Sequence, residues 1–330
     1  MRILITGATG AIGQSIVEAA CNAGYHVRTL SLDPPQGDIW TDRVDIRLGD
    51  VTNQEVVQLA MEGMESVIHM AALLHITNPS QSFEEKYIKV NVKGTENVIH
   101  AAIKAGASRV VFFSTIAVYG DSNGNIIKED SQPYPDTFYS QSKYAAERIV
   151  LDAKKFDGQP LGTVLRLGAV YGARIKGNYR RLLLALSRGS FIPLGNGKNR
   201  RTMVYDKDVA QAAALALSHP SAAGKIFNVS DGEFHTMKEI IETMCKALGR
   251  ATPRFSLPAG PVRSFAGILE DGSRMLGMES PIVRNTIDKY MEDMAVDSKQ
   301  IQVQLGFIPR YDLISGWRQT VEQMRRMGDL

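Results

Sequence analysis

A glycine-spaced turn near the amino terminus constrains the fold of this chain more than any other feature. Gly7, Gly10 and Gly13 lie between a short apolar run and an amphipathic stretch. In such a turn the first glycine permits a tight bend after a strand, the second lets the backbone approach a pyrophosphate, and the third allows close packing of the helix. The amino end of that helix, at Ala11 and Ile12, then offers N–H groups to phosphate. The pattern predicts a dinucleotide site, and a plain strand-to-helix turn is the alternative.

Short apolar runs alternate with amphipathic stretches along the first half of the chain. This order is typical of β–α units that build a parallel sheet, which binds ligands beyond the carboxyl ends of its strands. We therefore expect an α/β fold with a doubly wound parallel sheet of the Rossmann type and a smaller, mostly helical substrate lobe. The strand candidates span residues 2–6, 26–30, 45–48, 66–69, 109–114, 162–167 and 225–229. The helix candidates span residues 11–23, 53–61, 83–105 and 139–155.

The rhythm of strands and helices changes after about Gly172, where an arginine- and glycine-rich stretch over residues 172–201 begins. We expect a dinucleotide-binding domain over residues 1–172, with return segments near residues 202–230. The substrate-binding lobe is predicted from residues 173–201 and 231–330.

The composition argues against several classes of protein. Of the 330 residues, 44% are hydrophobic and 22% are charged, which is ordinary for a globular protein. A net charge of +3 without long basic runs predicts no nucleic-acid partner. Cys21 and Cys245 form neither a disulfide framework nor a metal-ligand spacing. No apolar run approaches the length of a membrane span, so we expect a cytoplasmic protein with no membrane partner and no metal.

A tyrosine and a lysine four residues apart, Tyr139 and Lys143, are the first candidates for chemistry. On a helix they share one face, where the lysine ammonium is expected to lower the pKa of the phenol from about 10. Such a pair can move a proton on or off a hydroxyl. The spacing also occurs in helices without function, but here it accompanies the glycine turn and Thr115, which follows a predicted strand.

The residue that would contact the adenosine ribose is less clear. The second strand candidate runs into Ser31 and Leu32, and Asp33 follows one step later than a ribose-binding carboxylate is expected. A serine at the strand end neither repels a 2′-phosphate by charge nor binds one as an arginine would. The sequence predicts NAD as the cofactor and does not exclude NADP.

Together these motifs resemble the extended short-chain dehydrogenase/reductases, and among them the NAD-dependent epimerase/dehydratase family typified by UDP-glucose 4-epimerase. The resemblance runs over nearly the whole chain. Its motifs are Thr6-Gly7-x-x-Gly10-x-x-Gly13, Gly49-Asp50-Val51, His69-Met70-Ala71-Ala72, Asn91-x-x-Gly94-Thr95, Ser114-Thr115-x-x-x-Tyr119-Gly120, Tyr139-x-x-x-Lys143, Arg166-x-x-x-x-Tyr171-Gly172 and Arg200-Arg201-x-x-x-x-x-x-Asp208.

The resemblance implies several cofactor contacts. Asp50 would face the adenine amine with Val51 beside it, the backbone of Ala71 and Ala72 would lie by the pyrophosphate and ribose, and Asn91 would brace the site from behind. For Asp50 a helix cap is the alternative, and for Asn91 a buried, satisfied amide is the alternative.

The resemblance also assigns the catalytic roles. Thr115 would hydrogen-bond the reacting hydroxyl, Tyr139 would be the acid/base, and Lys143 would lower the tyrosine pKa and bind the nicotinamide ribose. His69, which ends an apolar strand, is expected to be a packed core residue. Relatives that eliminate water carry an Asp-Glu pair after the threonine, where this chain has Ile116 and Ala117.

Three features of the second half resemble the family's contacts to a nucleotide-diphosphate sugar, namely Asn178, the strand-like stretch over residues 191–194, and Arg201. An ordinary surface arginine is the alternative for Arg201. Ala169 departs from the Asn or Thr of many relatives, and the usual Arg-x-Gly-Asp clamp is absent ahead of Asp297.

The resulting hypothesis is an NAD(P)-dependent nucleotide-sugar epimerase, a UDP-hexose 4-epimerase that works through a 4-keto intermediate as a homodimer. Two alternatives stay open. One is a reductase or dehydrogenase of a 4-keto-sugar nucleotide or a sterol-like alcohol. The other is a dinucleotide-sensing regulator, against which the complete Thr115, Tyr139 and Lys143 set counts.

Overall fold

The fold is that of a computed structural model, which describes residues 1–35, 40, 43–74, 76, 82–275 and 284–330. Over these ranges the strands are β1 (Arg2–Thr6), β2 (His26–Ser31), β3 (Val44–Leu48), β4 (Ser66–His69), β5 (Arg109–Thr115), β6 (Gly162–Leu167), β7 (Ala169–Tyr171), β8 (Arg200–Arg201), β9 (Met203–Tyr205), β10 (Ile226–Val229) and β11 (His235–Thr236).

The helices of the same ranges are α1 (Gly13–Asn22), α2 (Gln54–Met61), α3 (Ser82–Tyr87), α4 (Gly94–Lys104), α5 (Phe138–Asp152), α6 (Asn178–Ser187), α7 (Asp206–Ser218), α8 (Met237–Leu248), α9 (Ala259–Met275), α10 (Arg284–Met291), α11 (Lys299–Leu305) and α12 (Leu313–Arg326). A π-helical segment, Ile88–Lys93, joins α3 to α4, and short 3₁₀ turns lie at Ile116–Tyr119 and Pro220–Ala222.

Seven strands form one parallel sheet in the order β10-β6-β5-β4-β1-β2-β3. The strand order reverses beside β1, between β2 and β4, so the carboxyl ends of β1 and β4 flank the crevice in which doubly wound sheets bind ligands. Along β1, Ile3 and Ile5 pack into the core on one face of the sheet, and Leu4 packs into the core on the other. The predicted doubly wound sheet is confirmed.

The predicted strands agree closely with the observed ones, whereas the helices differ more. Residues 83–105, predicted as one helix, form α3, the π-helical segment and α4. The helix predicted over residues 139–155 is α5, which begins at Phe138 because Thr137 and Ser140 form a reciprocal capping box before it. A homodimer through these helices stays a prediction.

The second half of the chain contributes a separate apolar cluster outside the large sheet. Tyr171 stacks on Trp317 with ring centres 4.6 Å apart, among buried side chains of α6, α8 and α12. Strand β9 pairs with β7 in parallel, and β11 pairs with β8 in antiparallel orientation. The return strand β10 lies at the edge of the large sheet beside β6. The division into a dinucleotide-binding domain and a substrate lobe stays a prediction.

Within the described ranges, no helix is both long enough and apolar enough to cross a membrane. The same residues contain no group of three His, Cys, Asp or Glu side chains that could hold a metal ion.

Candidate active site at the reversal point of the sheet

Gly7 marks the place where three parts of the backbone meet. Its φ is +71°, and a Cβ atom there would lie 2.7 Å from the backbone of Ala71, in the loop after β4. Its N–H donates to the carbonyl of Leu30 in β2 over 2.8 Å. Because both the φ angle and the lack of space exclude a side chain, only glycine fits this position.

The remainder of the turn leaves the amino end of α1 open. Gly10 donates to the Gly7 carbonyl and Gly13 to the Gly10 carbonyl, each over 3.0 Å, and a Cβ atom on Gly13 would lie 1.9 Å from the Ala8 carbonyl oxygen. Ile12 precedes α1 and caps no N–H with its side chain. The partly exposed Ala11 and Ile12 therefore border a helix end with N–H groups for an anion. This turn fits the pyrophosphate of a dinucleotide.

Ser31 ends β2 beside the glycine turn. Its side chain is buried, and its Oγ accepts a hydrogen bond of 3.3 Å from the Thr9 N–H. Asp33 is exposed two residues later. The structure thus places Ser31, and not Asp33, against the turn predicted to hold the cofactor.

Asp50 and Val51 follow β3 at the same edge of the sheet. Asp50 Oδ1 accepts the N–H of Thr52 over 2.8 Å, whereas the cap of α2 is Asn53, whose Oδ1 accepts the N–H groups of Glu55 and Val56. The alternative reading of Asp50 as a helix cap is therefore wrong, because Asp50 closes the turn before the cap. Val51 is buried, and its carbonyl accepts a bond from Asn97 of α4.

Asn91 joins the loop after β4 to the helix that carries the tyrosine. Its Oδ1 accepts the Leu73 N–H over 2.7 Å, and its Nδ2 donates to the Leu73 carbonyl and to Ser142 Oγ over 3.1 and 2.9 Å. Ser142 in turn donates to the carbonyl of Tyr139 over 2.8 Å. Asn91 is thus a buried, satisfied amide that also fixes the loop of Ala71 and Ala72 relative to α5. The π-helical segment that contains it is a feature often found at functional sites.

His69 lies behind this loop in a continuous chain of hydrogen bonds. Its Nδ1 is 2.6 Å from Thr6 Oγ1 and its Nε2 is 3.0 Å from Thr95 Oγ1. Since Thr95 donates its hydroxyl proton to the Asn91 carbonyl, it accepts from a protonated Nε2, and Thr6 must donate to Nδ1. Burial, followed by the charge of Lys143, lowers the pKa of His69 to about 3. As expected from the sequence, His69 is a neutral core residue.

Thr115, Tyr139 and Lys143 lie on β5 and α5, which pack against each other. Thr115 ends β5, is partly exposed and accepts the Ala117 N–H with its Oγ1 over 3.2 Å. Tyr139 is partly exposed in the first turn of α5, with its ring centre 6.2 Å from that of Tyr87. Lys143 follows one turn later and is buried.

The electrostatics of the Tyr139 and Lys143 pair differ from the sequence-based expectation. Burial and the nearby Tyr87 raise the pKa of Tyr139 to about 12, instead of lowering it. Burial lowers the pKa of Lys143 to about 7, although the carboxylate of Glu147 opposes this shift. The structure contradicts the expectation of a lowered tyrosine pKa, because burial disfavours the charged form of the Tyr139 phenol as well as that of the Lys143 ammonium.

An ion pair that the sequence analysis did not identify lies behind the catalytic candidates. Glu147 on α5 binds Arg166 on β6 with an Nη2–Oε2 distance of 2.6 Å, and both side chains are almost fully buried. Glu147 also accepts the hydroxyl proton of Ser114, the neighbour of Thr115, over 2.5 Å. Arg166 lies over the ring of Tyr119 at 4.6 Å. In the sequence, Arg166 opens a family motif and Glu147 lies one turn beyond Lys143 on the same helix face, but neither signal indicates that the two residues pair.

The two predicted substrate contacts lie in the second half of the chain. Asn178 is the exposed first residue of α6 and lines a small cavity of about 40 Å³ with Tyr171 and Trp317. Arg201 is partly buried, and its Nη2 donates to the carbonyls of Lys289 and Tyr290 over 2.7 and 3.0 Å. The structure thus shows backbone acceptors for Arg201 that the sequence did not predict.

Comparisons with known proteins agree with this geometry. The model of the NAD dependent epimerase/dehydratase family matches residues 3–230. The N-acetyl-alpha-D-glucosaminyl-diphospho-ditrans,octacis-undecaprenol 4-epimerase of Escherichia coli O157:H7 is 27% identical over 97% of this chain and 94% of its own length. The UDP-glucose 4-epimerase of Vibrio cholerae is 26% identical, with the same coverage.

Among solved structures, MoeE5 in complex with UDP-glucose and NAD superposes with a TM-score of 0.78 at 26% identity, over 99% of both chains. The family model alone covers more than half of the sequence and includes the glycine turn and the Tyr139 and Lys143 pair. The chain therefore belongs to the NAD-dependent epimerase/dehydratase family.

Proposed function

We propose that this protein is an NAD-dependent nucleotide-sugar epimerase that interconverts UDP-hexoses at carbon 4. The observation that carries the proposal is the bracing by Asn91, whose amide binds both the loop beside the glycine turn and, through Ser142, the backbone of Tyr139. This bracing holds the predicted dinucleotide cradle and the predicted acid/base in one fixed arrangement. The likeness to a UDP-glucose 4-epimerase and to MoeE5 with UDP-glucose and NAD supports the choice of substrate and cofactor.

In this proposal the glycine turn at Gly7 and Gly10 holds the pyrophosphate of NAD at the amino end of α1. When bound, NAD supplies the acceptor and donor for a hydride at carbon 4 of the sugar, a capacity that no side chain has. Ser31 and Asp50 lie at the edge of the sheet where the adenosine half of a dinucleotide would rest.

The side chains supply the proton transfer. Tyr139 takes the proton of the sugar 4-hydroxyl. It returns the proton after the 4-keto sugar has rotated within the site and presents its other face. Thr115 hydrogen-bonds the same hydroxyl and orients it toward the phenol. Lys143, held on the same face of α5, favours the phenolate once a ligand changes the surroundings of both groups. Ile116 and Ala117 stand where water-eliminating relatives carry two acids, so the proposal contains no dehydration step.

A second candidate is an NAD(P)-dependent dehydrogenase of an alcohol without a diphosphate, such as a sterol-like alcohol. The observation in its favour is that Arg201 Nη2 donates hydrogen bonds to the carbonyls of Lys289 and Tyr290. These bonds use N–H donors that a bound diphosphate would need. Glu292 lies 3.9 Å from Arg201 Nη1 and further reduces the positive charge available to a ligand.

Calorimetric titration of UDP and of uridine separates the two candidates. For the epimerase we expect UDP to bind, and Arg201→Ala to weaken UDP binding about a hundredfold because a bound phosphate loses a charged partner. Uridine binding should be almost indifferent to the substitution, and Arg310→Ala, at an exposed arginine elsewhere, is the matched control. If the unmodified protein binds no UDP, the nucleotide-sugar proposal fails and the alcohol dehydrogenase replaces it.

A further inference from the structure

Asp206 is a buried carboxylate to which the proposed reaction gives no role. It is the first residue of α7 and is 8% exposed, and its Oδ2 accepts the hydroxyl proton of Ser15 over 2.9 Å. Its Oδ1 is buried and has no hydrogen-bond partner among the residues that the structure describes. Because a buried oxygen without a partner costs free energy, the position of this carboxylate requires an explanation.

Ser15 connects this carboxylate with the helix that follows the glycine turn. It is the third residue of α1 and lies about 4.5 Å along the helix axis from Ile12, which precedes the helix. Since α7 packs against α1, the Asp206 carboxylate lies beside the first turn of α1. The amino end of a helix carries about half a positive elementary charge. Asp206 therefore offsets part of the positive potential at the place where the glycine turn is predicted to hold a pyrophosphate.

The residues on the other sides of Asp206 leave its charge without a close cation. A Cβ atom on Gly172, which follows β7, would lie 2.8 Å from the carboxyl carbon of Asp206, so glycine leaves room for this group. The ammonium of Lys207, the next residue of α7, donates to Gln319 Oε1 over 3.4 Å. The hydrogen bond from Ser15 is neutral and does not cancel the negative charge.

The titratable groups around Asp206 make its ionised form less stable than in water. Burial raises the pKa of Asp206, the Ser15 hydroxyl and Lys207 oppose this shift, and the charge of Glu18 on α1 adds to it. Tyr205, its neighbour on β9, stays neutral because burial and the Asp206 charge raise the pKa of its phenol. A carboxyl group in such surroundings readily takes up a proton when a second negative charge approaches.

We propose that Asp206 limits the affinity for NAD, because its ionised carboxylate competes with the cofactor pyrophosphate for the amino end of α1. The pyrophosphate is an anion, and the carboxylate repels it across an interior in which charges are poorly screened. Binding of NAD therefore raises the pKa of Asp206 and takes up protons, and the affinity for NAD decreases as the pH rises and Asp206 ionises. The proposal concerns the cofactor and does not depend on the identity of the sugar.

This role leaves no signal in the local sequence. Ser15 and Asp206 are 191 residues apart and meet only in the folded chain. An aspartate in the first turn of a helix has an ordinary explanation as a partner of the dipole of its own helix. The contact with a second helix, at the end predicted to hold the cofactor, distinguishes Asp206 from such a residue.

Calorimetric titration of NAD into the full chain tests the proposal without any measurement of activity. At about pH 8 we expect Asp206→Asn, which keeps the shape of the side chain, to bind NAD about tenfold more tightly than the unmodified protein. As the pH falls through the pKa of Asp206, the two affinities should converge. Glu18→Gln removes an exposed negative charge from the same helix, one turn further from its amino end, and should change the affinity less than about twofold.

Proton uptake is a second measurement, which the unmodified protein itself provides. Titrations in two buffers with different enthalpies of ionisation should show more protons taken up per NAD by the unmodified protein than by Asp206→Asn. Lys143, whose pKa is about 7, contributes alike to both proteins and cancels in this comparison. Ser15→Ala removes a hydrogen bond that stabilises the ionised carboxylate, so it should move the decrease in affinity to higher pH.

Three results would overturn the proposal. The first is an unmodified protein that binds no NAD, or an Asp206→Asn variant that binds NAD no more tightly at about pH 8. The second is a gain in affinity that is the same at every pH, which would assign it to packing, or that Glu18→Gln reproduces, which would assign it to net charge. The third is equal proton uptake by both proteins. Circular dichroism of each variant excludes misfolding. The nucleotide-sugar proposal depends on UDP binding, which these titrations do not measure.

Discussion

The ammonium of Lys143 lies 4.0 Å from the centre of the Phe112 ring. The electron-rich face of the ring attracts the cation, but it replaces only part of the hydration that a buried ammonium loses. His69 contacts the same ring, with ring centres 5.6 Å apart, and stays neutral. Lys143 therefore has a lowered pKa, whereas the proposed mechanism uses its positive charge to favour a phenolate at Tyr139.

A first prediction concerns pH and stability. Since burial lowers the pKa of Lys143 from 10.5 to about 7, the unfolded chain binds more protons than the folded chain between these values. The free energy of unfolding should rise with pH across this window, by at most about one to two kcal/mol per pH unit. Lys143→Met should remove this rise. Urea unfolding without dinucleotide between pH 7 and pH 9.5 measures it, and parallel pH profiles of both proteins would show that Lys143 stays charged.

A second prediction concerns the acid/base. Because Tyr139 is the proposed proton carrier, Tyr139→Phe should lower turnover at least about a hundredfold while NAD binding persists. Lys143→Met should impair both turnover and NAD binding. Tyr144→Phe, a neighbouring tyrosine on α5, is the control and should turn over almost normally. Near-normal turnover by Tyr139→Phe, measured by steady-state kinetics, would exclude the role.

A third prediction concerns the cofactor. Ser31 lies buried against Thr9 of the glycine turn, so Ser31→Asp should bond the ribose hydroxyls and repel a 2′-phosphate. We expect the ratio of NAD to NADP affinity to increase at least about tenfold, the effect of one charge-assisted hydrogen bond. Asp33→Asn, at the exposed carboxylate nearby, should leave the ratio unchanged. An unaltered ratio in Ser31→Asp by calorimetry would place Ser31 away from the ribose.

A fourth prediction concerns the buried ion pair. Glu147→Gln leaves Arg166 charged and unpaired in the interior, which should lower the free energy of unfolding by about 3–5 kcal/mol. Glu96→Gln removes one partner of the Lys93–Glu96 ion pair, which is far more exposed than the Glu147–Arg166 pair. This substitution should lower the free energy of unfolding by less than about 1 kcal/mol. Urea unfolding compares the two variants. If both variants lose the same free energy of unfolding, the Arg166 charge in Glu147→Gln is stabilised by water or by another group, which contradicts the prediction.

The parts of the fold that depend on short sequence patterns could be predicted. Strands β1, β4 and β6 have the predicted bounds because each is a buried apolar run between turn residues. The glycine turn at Gly7 could be placed because its geometry excludes other residues. In contrast, the π-helical segment around Asn91 depends on bonds to Leu73 and Ser142, eighteen and fifty-one residues away.

The electrostatics of the site could not be predicted for the same reason. The sequence places Tyr139 and Lys143 on one helix face, but their pKa values depend on how deeply β5 and α5 bury them. Likewise, Arg201 has the position of a diphosphate contact in the family pattern, while the carbonyls that it binds come from α10. Partners brought together only by tertiary structure leave no signal in the local sequence.

Incubation of the purified protein with UDP-glucose and NAD tests the central claim most directly. Chromatography should show UDP-galactose appearing until the two sugars reach equilibrium, while the absorbance of NADH stays constant because the cofactor is regenerated in each cycle. A stoichiometric increase in NADH, or no conversion of a protein that binds UDP, would contradict the proposed 4-epimerase.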